Sequence, residues 1–183
     1  MRADKNAARR TAVCASFAVL ALGLSYLESL IPLELILPIP GVKPGLANLA
    51  VTLVMVYVSP GAAAAVSLTR VLLSALLFGS PASLLLSLGG AATSYAMLYC
   101  LWRAARKGFV RVSFAGVGAL CAAAHAVGQI AAACLLFGTT AIITYLPVLA
   151  SVSALIGTLT GLLLNAAVPM CDRAARPFGC SRS

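Results

Sequence analysis

The chain has 183 residues, of which 62% are hydrophobic and only 9% charged, with a mean hydropathy of +1.04. Soluble domains run nearer ~45–50% apolar and ~25% charged, so too few polar residues remain to coat a water-soluble monomer, and disorder, which needs low hydrophobicity and high charge, is excluded as well. The net charge of +9 falls between long apolar runs rather than along one soluble face, which points to orientation in a membrane and away from nucleic-acid binding.

A spanning helix needs ~20 mainly apolar residues. The first such run, residues 11–31, follows the cations Arg2, Lys5, Arg9 and Arg10; it is too long for the apolar core of an ordinary signal peptide and is read as a retained helix. Prolines 32, 38, 40 and 44 then forbid a regular helix, although the segment is apolar, so an outer loop over residues 32–44 is expected to lie in or fold over the membrane interface. A short second helix over residues 45–58 stops at Ser59-Pro60-Gly61, and a third over 62–78 stops at Gly79-Ser80-Pro81. The fourth covers residues 82–102, the fifth 113–137 and the sixth 142–168, with Pro147 near its start. This yields an all-α membrane protein, a bundle of six transmembrane helices: a basic N-terminus (1–10), a transmembrane domain (11–168) and a basic tail (169–183).

Lys and Arg concentrate on the cytoplasmic side. With both ends inside, eleven of the 13 basic residues lie on inner segments: the N-terminus, the loop bearing Arg103, Arg106, Lys107 and Arg111, and the tail with Arg173, Arg176 and Arg182. Lys43 is outside and Arg70 is within the third helix. The reverse orientation would put those eleven outside, so the pattern favours N-in, C-in, with both the N-terminus and the tail cytoplasmic.

Ionisable residues inside a bilayer are costly and usually functional. Arg70 lies eight residues before the outer end of its helix, about 12 Å deep at ~1.5 Å per residue, with Ser67 and Ser74 on the same face. It fits either a cation bound to helix-end carbonyls or a ligand anchor. His125 and Gln129, four apart on the fifth helix, face one way and fit either hydrogen-bonded packing or a site. Asn48 is expected one turn below the outer mouth with Thr52 beneath it, Lys43 just above, and Tyr145 at the outer end of the sixth helix as an interfacial anchor or a contact. Glu28 and Glu34 are expected to face the headgroup region. The polar set is biased to the outer half and positive, which suits a ligand with an anionic group held by arginine.

Small residues four apart let helices approach closely in lipid. Gly157 and Gly161 form one such stripe and Ala8, Ala12 and Ser16, extended by Ala15, another; each fits packing inside the bundle or docking of a further membrane subunit. The six cysteines show no CxxC pair and mostly lie in apolar runs, where cysteine behaves as a small hydrophobe, so no metal and no cofactor is expected. There is no Walker A motif to power transport by ATP. The only aspartates are Asp4 and Asp172, whereas Mg²⁺ held on a diphosphate needs clustered oxygen ligands; catalysis of prenyl transfer by this chain alone is therefore not expected.

The stretch Pro40-Gly41-Val42-Lys43-Pro44-Gly45-Leu46-Ala47-Asn48, with Arg70-Val71-Leu72-Leu73-Ser74, Leu77-Phe78-Gly79, Ser87-Leu88-Gly89-Gly90, Ala124-His125-Ala126-Val127-Gly128-Gln129 and Tyr145-Leu146-Pro147-Val148-Leu149, resembles the bacterial membrane family named heptaprenyl diphosphate synthase component I, also called Gx transporter. The resemblance covers about residues 10–168. Ala126 departs from it, standing where the family pattern has a polar Asn. The family is similar in turn to the substrate-binding S components of energy-coupling factor transporters, six-helix proteins of the plasma membrane whose first loop covers a ligand and whose first helix docks a scaffold subunit joined to two ATPases. That resemblance implies a lid at 32–44, a docking stripe at Ala8, Ala12 and Ser16, and a solute-binding set of Lys43, Asn48, Arg70, Ser74, His125, Gln129 and Tyr145. It also implies uptake of a small solute, energised by partner ATPase subunits; the anionic character of that solute rests on the positive polar set. The family name implies instead a non-catalytic membrane partner of a soluble prenyl synthase. A structural membrane protein without a ligand is a third reading.

Overall fold

In the computed structural model, residues 2–30, 46–109 and 113–175 are described. They form six helices: α1 (Arg2–Ser29), α2 (Asn48–Tyr57), α3 (Pro60–Phe78), α4 (Pro81–Arg106), α5 (Phe114–Phe137) and α6 (Leu146–Ala175), the last preceded by a 3-10 turn at Ala141–Tyr145. The Ser-Pro pairs that read as stops are also starts. Ser59 accepts a hydrogen bond from Ala62 N–H at 3.2 Å and Ser80 from Ser83 N–H at 3.1 Å, each capping a helix whose first residue is a proline, a position that has no N–H to satisfy. Ser113 caps α5 in the same way, through Gly116 N–H at 3.1 Å. Gly138, at φ +65°, ends α5 in the left-handed conformation that glycine adopts without cost.

Successive helices alternate in direction, as their cross-contacts show. Thr93 Oγ1 donates to Ala124 O at 2.7 Å, and a Cβ on Gly89 would come within 2.6 Å of Gly128 O, so residue numbers fall on α5 as they rise on α4. Gly118 faces Gly157, and Gly161 faces Phe114 and Ala115, so that a Cβ on any of these glycines would strike the neighbouring backbone. The Gly157/Gly161 stripe is thus absorbed by packing inside the bundle. Tyr95 Oη donates to Pro60 O at 2.9 Å, and Tyr57 Oη to Val168 O at 3.1 Å. The C-terminal ends of α2, α4 and α6 therefore gather with the N-terminal ends of α1, α3 and α5. This is termed the basic end, since Arg103, Arg106 and Lys107 lie there.

The burial profile is inverted relative to a soluble protein. Leu76 is 83% and Leu135 87% exposed, whereas buried polar side chains come from all six helices, among them Ser25, Thr52, Arg70, Ser87, Gln129 and Ser153. Only an apolar solvent reconciles those two facts.

Among the described residues, five helical stretches are long and apolar enough to cross a membrane; the exception is α2. At 10 residues it spans about 15 Å, half of a ~30 Å hydrocarbon core, so five spanning helices are found where six are expected. Seven of its residues, from Ala50 to Tyr57, are buried, enclosed by α1, α3, α5 and α6. A half-length helix is tolerated at such depth because its free end is surrounded by protein.

Candidate solute-binding site

The free N-terminal end of α2 defines the site. Arg70 projects from α3 and is 4% exposed. Its Nη1 donates to Ser25 Oγ on α1 at 3.2 Å, and its Nη2 to Asn48 Oδ1, the first residue of α2, at 3.3 Å. Glu28, one turn beyond Ser25, accepts a hydrogen bond from Ala47 N–H at 3.2 Å and acts electrostatically on the Arg70 guanidinium. Three helices thus converge on one cation and one anion.

This geometry corrects two expectations. Glu28 does not face the headgroups: it is 2% exposed, held inward because it accepts from Ala47 N–H at the start of α2 and opposes a buried cation, both of which favour a carboxylate there. Asn48 does not sit near the outer mouth. Because it bonds Arg70, it lies at the same depth, about 12 Å below the Phe78 end of α3 at ~1.5 Å per residue. Chain order puts Asn48 near the top of a short helix over residues 45–58; the arginine's partner puts the start of that helix level with Arg70.

Ser67 and Ser74 flank Arg70 on the buried face, as their spacing predicts, and Ser74 Oγ donates to Val71 O at 3.1 Å. His125 and Gln129 form a second polar cluster across the α4–α5 contact. A Cβ on Gly90 would come within 2.7 Å of His125 Cε1 and 2.9 Å of Gln129 Cγ, so the glycine makes room for both side chains. From the Phe137 end Gln129 is about 12 Å deep, in the same layer as Arg70. Tyr145 lies in the 3-10 turn at the far end and is exposed, away from that layer. Lys43, Glu34 and the expected lid at 32–44 lie outside the described residues. Ala12 and Ser16 are exposed on α1, where Ser16 Oγ donates back to Ala12 O at 3.0 Å; the side chain of Ala8 also lies outside the description.

Two buried donors at the centre of the site have no acceptor among the described residues: Arg70 Nε and Asn48 Nδ2. Both belong to groups otherwise engaged, and both are N–H donors. Burial without an acceptor costs about 1–3 kcal/mol per group. The site is therefore short of an acceptor, which is the chemistry of a carboxylate, phosphate or carbonyl oxygen.

The profile of the heptaprenyl diphosphate synthase component I family matches residues 17–167. The chain belongs to that family. The matched span contains Ser25, Glu28, Asn48, Arg70, His125 and Gln129 and leaves out Ala8, Ala12 and Ser16. No curated protein and no solved structure matches the chain. With its apolar helices, the protein is a multi-pass membrane member of the family.

Proposed function

We propose that this component I protein is a solute-binding membrane subunit of the bacterial plasma membrane. In this reading it takes up a small anionic molecule at Arg70, and partner ATPase subunits energise the step. The observation that carries this reading is the pair of unfilled donors, Arg70 Nε and Asn48 Nδ2, beside the N-terminal end of a half-length helix at mid-membrane. Interrupted helices of this kind place a positive dipole end and free N–H groups where an anionic group can be held. Arginine adds a permanently charged fork.

Glu28 gives the site a resting state. While no solute is bound, its carboxylate offsets the Arg70 charge and accepts from Ala47 N–H; an arriving anion takes the two unfilled donors and competes with Glu28 for the same cation. The basic end faces the cytoplasm in this reading, following the placement of Lys and Arg, so the solute enters from the opposite side. His125 and Gln129 line the second wall of the same layer. Exposed Ala12 and Ser16, with Ala8 one turn further, offer a smooth helix face to a scaffold subunit.

The family name favours a second reading, a non-catalytic membrane partner of a soluble prenyl diphosphate synthase. Affinity purification of the tagged chain from its own membranes separates the two. Transport requires a membrane scaffold and paired ATPases in the eluate, lost on Ala12→Leu. A soluble Asp-rich synthase in their place, with product length altered when the chain is absent, overturns the transport reading.

A further inference from the structure

A cavity of about 200 Å³ lies at the basic end between α2, α4 and α5 and reaches along α2 as far as Thr52, one turn from Asn48. Met55, Leu98, Trp102 and Phe114 make its walls, and Ala105, which is exposed, forms its mouth. An apolar cavity of ~150 Å³ already holds a benzene-sized molecule, so this one has room for a segment of a single hydrocarbon chain. No solute with several charges suits such walls, because burying them without partners is costly.

The mouth has the opposite character. Arg106 places its guanidinium 5.1 Å from the centroid of the Trp102 ring, and Arg103 Nη1 donates to Tyr99 Oη at 3.4 Å. Lys107 follows at the helix end, and all three cations are exposed. Among the described side chains the one acid, Glu28, lies far from here. Helix α4 has 26 residues, about 39 Å, longer than a ~30 Å hydrocarbon core. Its last turn therefore reaches headgroup level, with Trp102 at the interface. From Ala105 down to Leu98 the cavity descends about 10 Å into the apolar layer. Phosphate height and chain direction agree with those of a lipid in that leaflet.

We propose that this cavity holds one acyl chain of an anionic phospholipid whose phosphate is bound by Arg106 beside Trp102, with Arg103 and Lys107 adding positive charge at the same height. Basic pockets between helices on the cytoplasmic side recognise lipid head groups by the same combination of charge and depth. The lipid ties the α4–α5 connection to the leaflet and covers the open side of α2, whose burial the bundle leaves incomplete at Val56.

The test is native mass spectrometry of the delipidated protein given dioleoyl phosphatidylglycerol or dioleoyl phosphatidylcholine at equal concentration. The wild type retains one phosphatidylglycerol with about a tenfold preference. Ala105→Trp, which closes the mouth from an exposed position, loses both lipids, whereas Leu135→Trp, exposed at the far end, loses neither. Arg106→Gln with Lys107→Gln keeps a lipid but loses the preference. Equal retention of the two lipids by the wild type, or undiminished phosphatidylglycerol in Ala105→Trp, overturns the proposal. So does displacement by glycerol 3-phosphate alone, which would show a head-group site without a chain. Displacement by a polyprenyl diphosphate that binds more than tenfold tighter reassigns the cavity to a prenyl chain and overturns it equally. Arg70→Gln with Glu28→Gln leaves lipid retention unchanged, so failure here and failure of the solute site are separate results.

Discussion

Neutralising Glu28 is the sharpest perturbation the fold offers. Its carboxylate is 2% exposed, bonds Ala47 N–H and offsets the buried Arg70. Removing one partner of a buried charge pair costs about 3–5 kcal/mol, because the other charge stays buried. At roughly 2–4 °C per kcal/mol for a chain of this size, Glu28→Gln should lower Tm in detergent by about 6–20 °C. Glu28→Ala should fall further, since it also strands Ala47 N–H, worth about 1–3 kcal/mol, which the glutamine oxygen can still accept. The double variant Glu28→Gln, Arg70→Met should recover about 1–3 kcal/mol relative to the sum of the singles, the coupling expected of residues that interact electrostatically within one polar network. Thermal unfolding of the wild type, the three single variants (Glu28→Gln, Glu28→Ala and Arg70→Met) and the double variant in one detergent checks this. A Glu28→Gln protein within about 0.5 kcal/mol of wild type, or strictly additive singles, would refute the assignment of Glu28 as the counter-charge of Arg70.

Other predictions rest on independent parts of the molecule. At Gly118, where a Cβ would strike the Gly157 carbonyl, Gly118→Val should destabilise by about 1–3 kcal/mol as overpacking in the same unfolding assay. Gly23→Ala meets nothing within 4 Å and should gain about 0.5–1 kcal/mol of helix stability; the opposite ranking would contradict the α5–α6 packing. Ser80→Ala removes the α4 cap and should cost about 1 kcal/mol. In a cysteine-free background, Lys107→Cys should react with an impermeant maleimide only after cell lysis, and Thr139→Cys in intact cells; reversed labelling would invert the orientation.

Much of the fold was legible because periodicity and length are strong signals in lipid. The long apolar runs gave α1, α3, α4, α5 and α6, and the Ser-Pro pairs marked their borders. Helix α2 was misjudged in extent, since apolar composition does not distinguish a half-length helix buried by protein from a short span facing lipid. Of the site, Arg70, Ser67 and Ser74 could be read from depth and helical spacing, and His125 with Gln129 from their four-residue interval. Glu28 could not, because a carboxylate near a helix end is ordinarily explained by the headgroup region. What draws it inward is Arg70, 42 positions away in sequence, together with the uncapped start of α2. That signal lies in tertiary contact and not in local pattern. A lone buried arginine in a chain with few acids did nonetheless imply a counter-charge, and Glu28 was one of only four acids available.

The decisive measurement is native mass spectrometry of the protein extracted gently from its own membranes, wild type beside the charge-neutral pair Arg70→Gln, Glu28→Gln. The expected result is a small anionic molecule retained by the wild type and absent from the folded double variant. A wild type that carries no such molecule, or a double variant that retains the same mass, would contradict a solute site at Arg70.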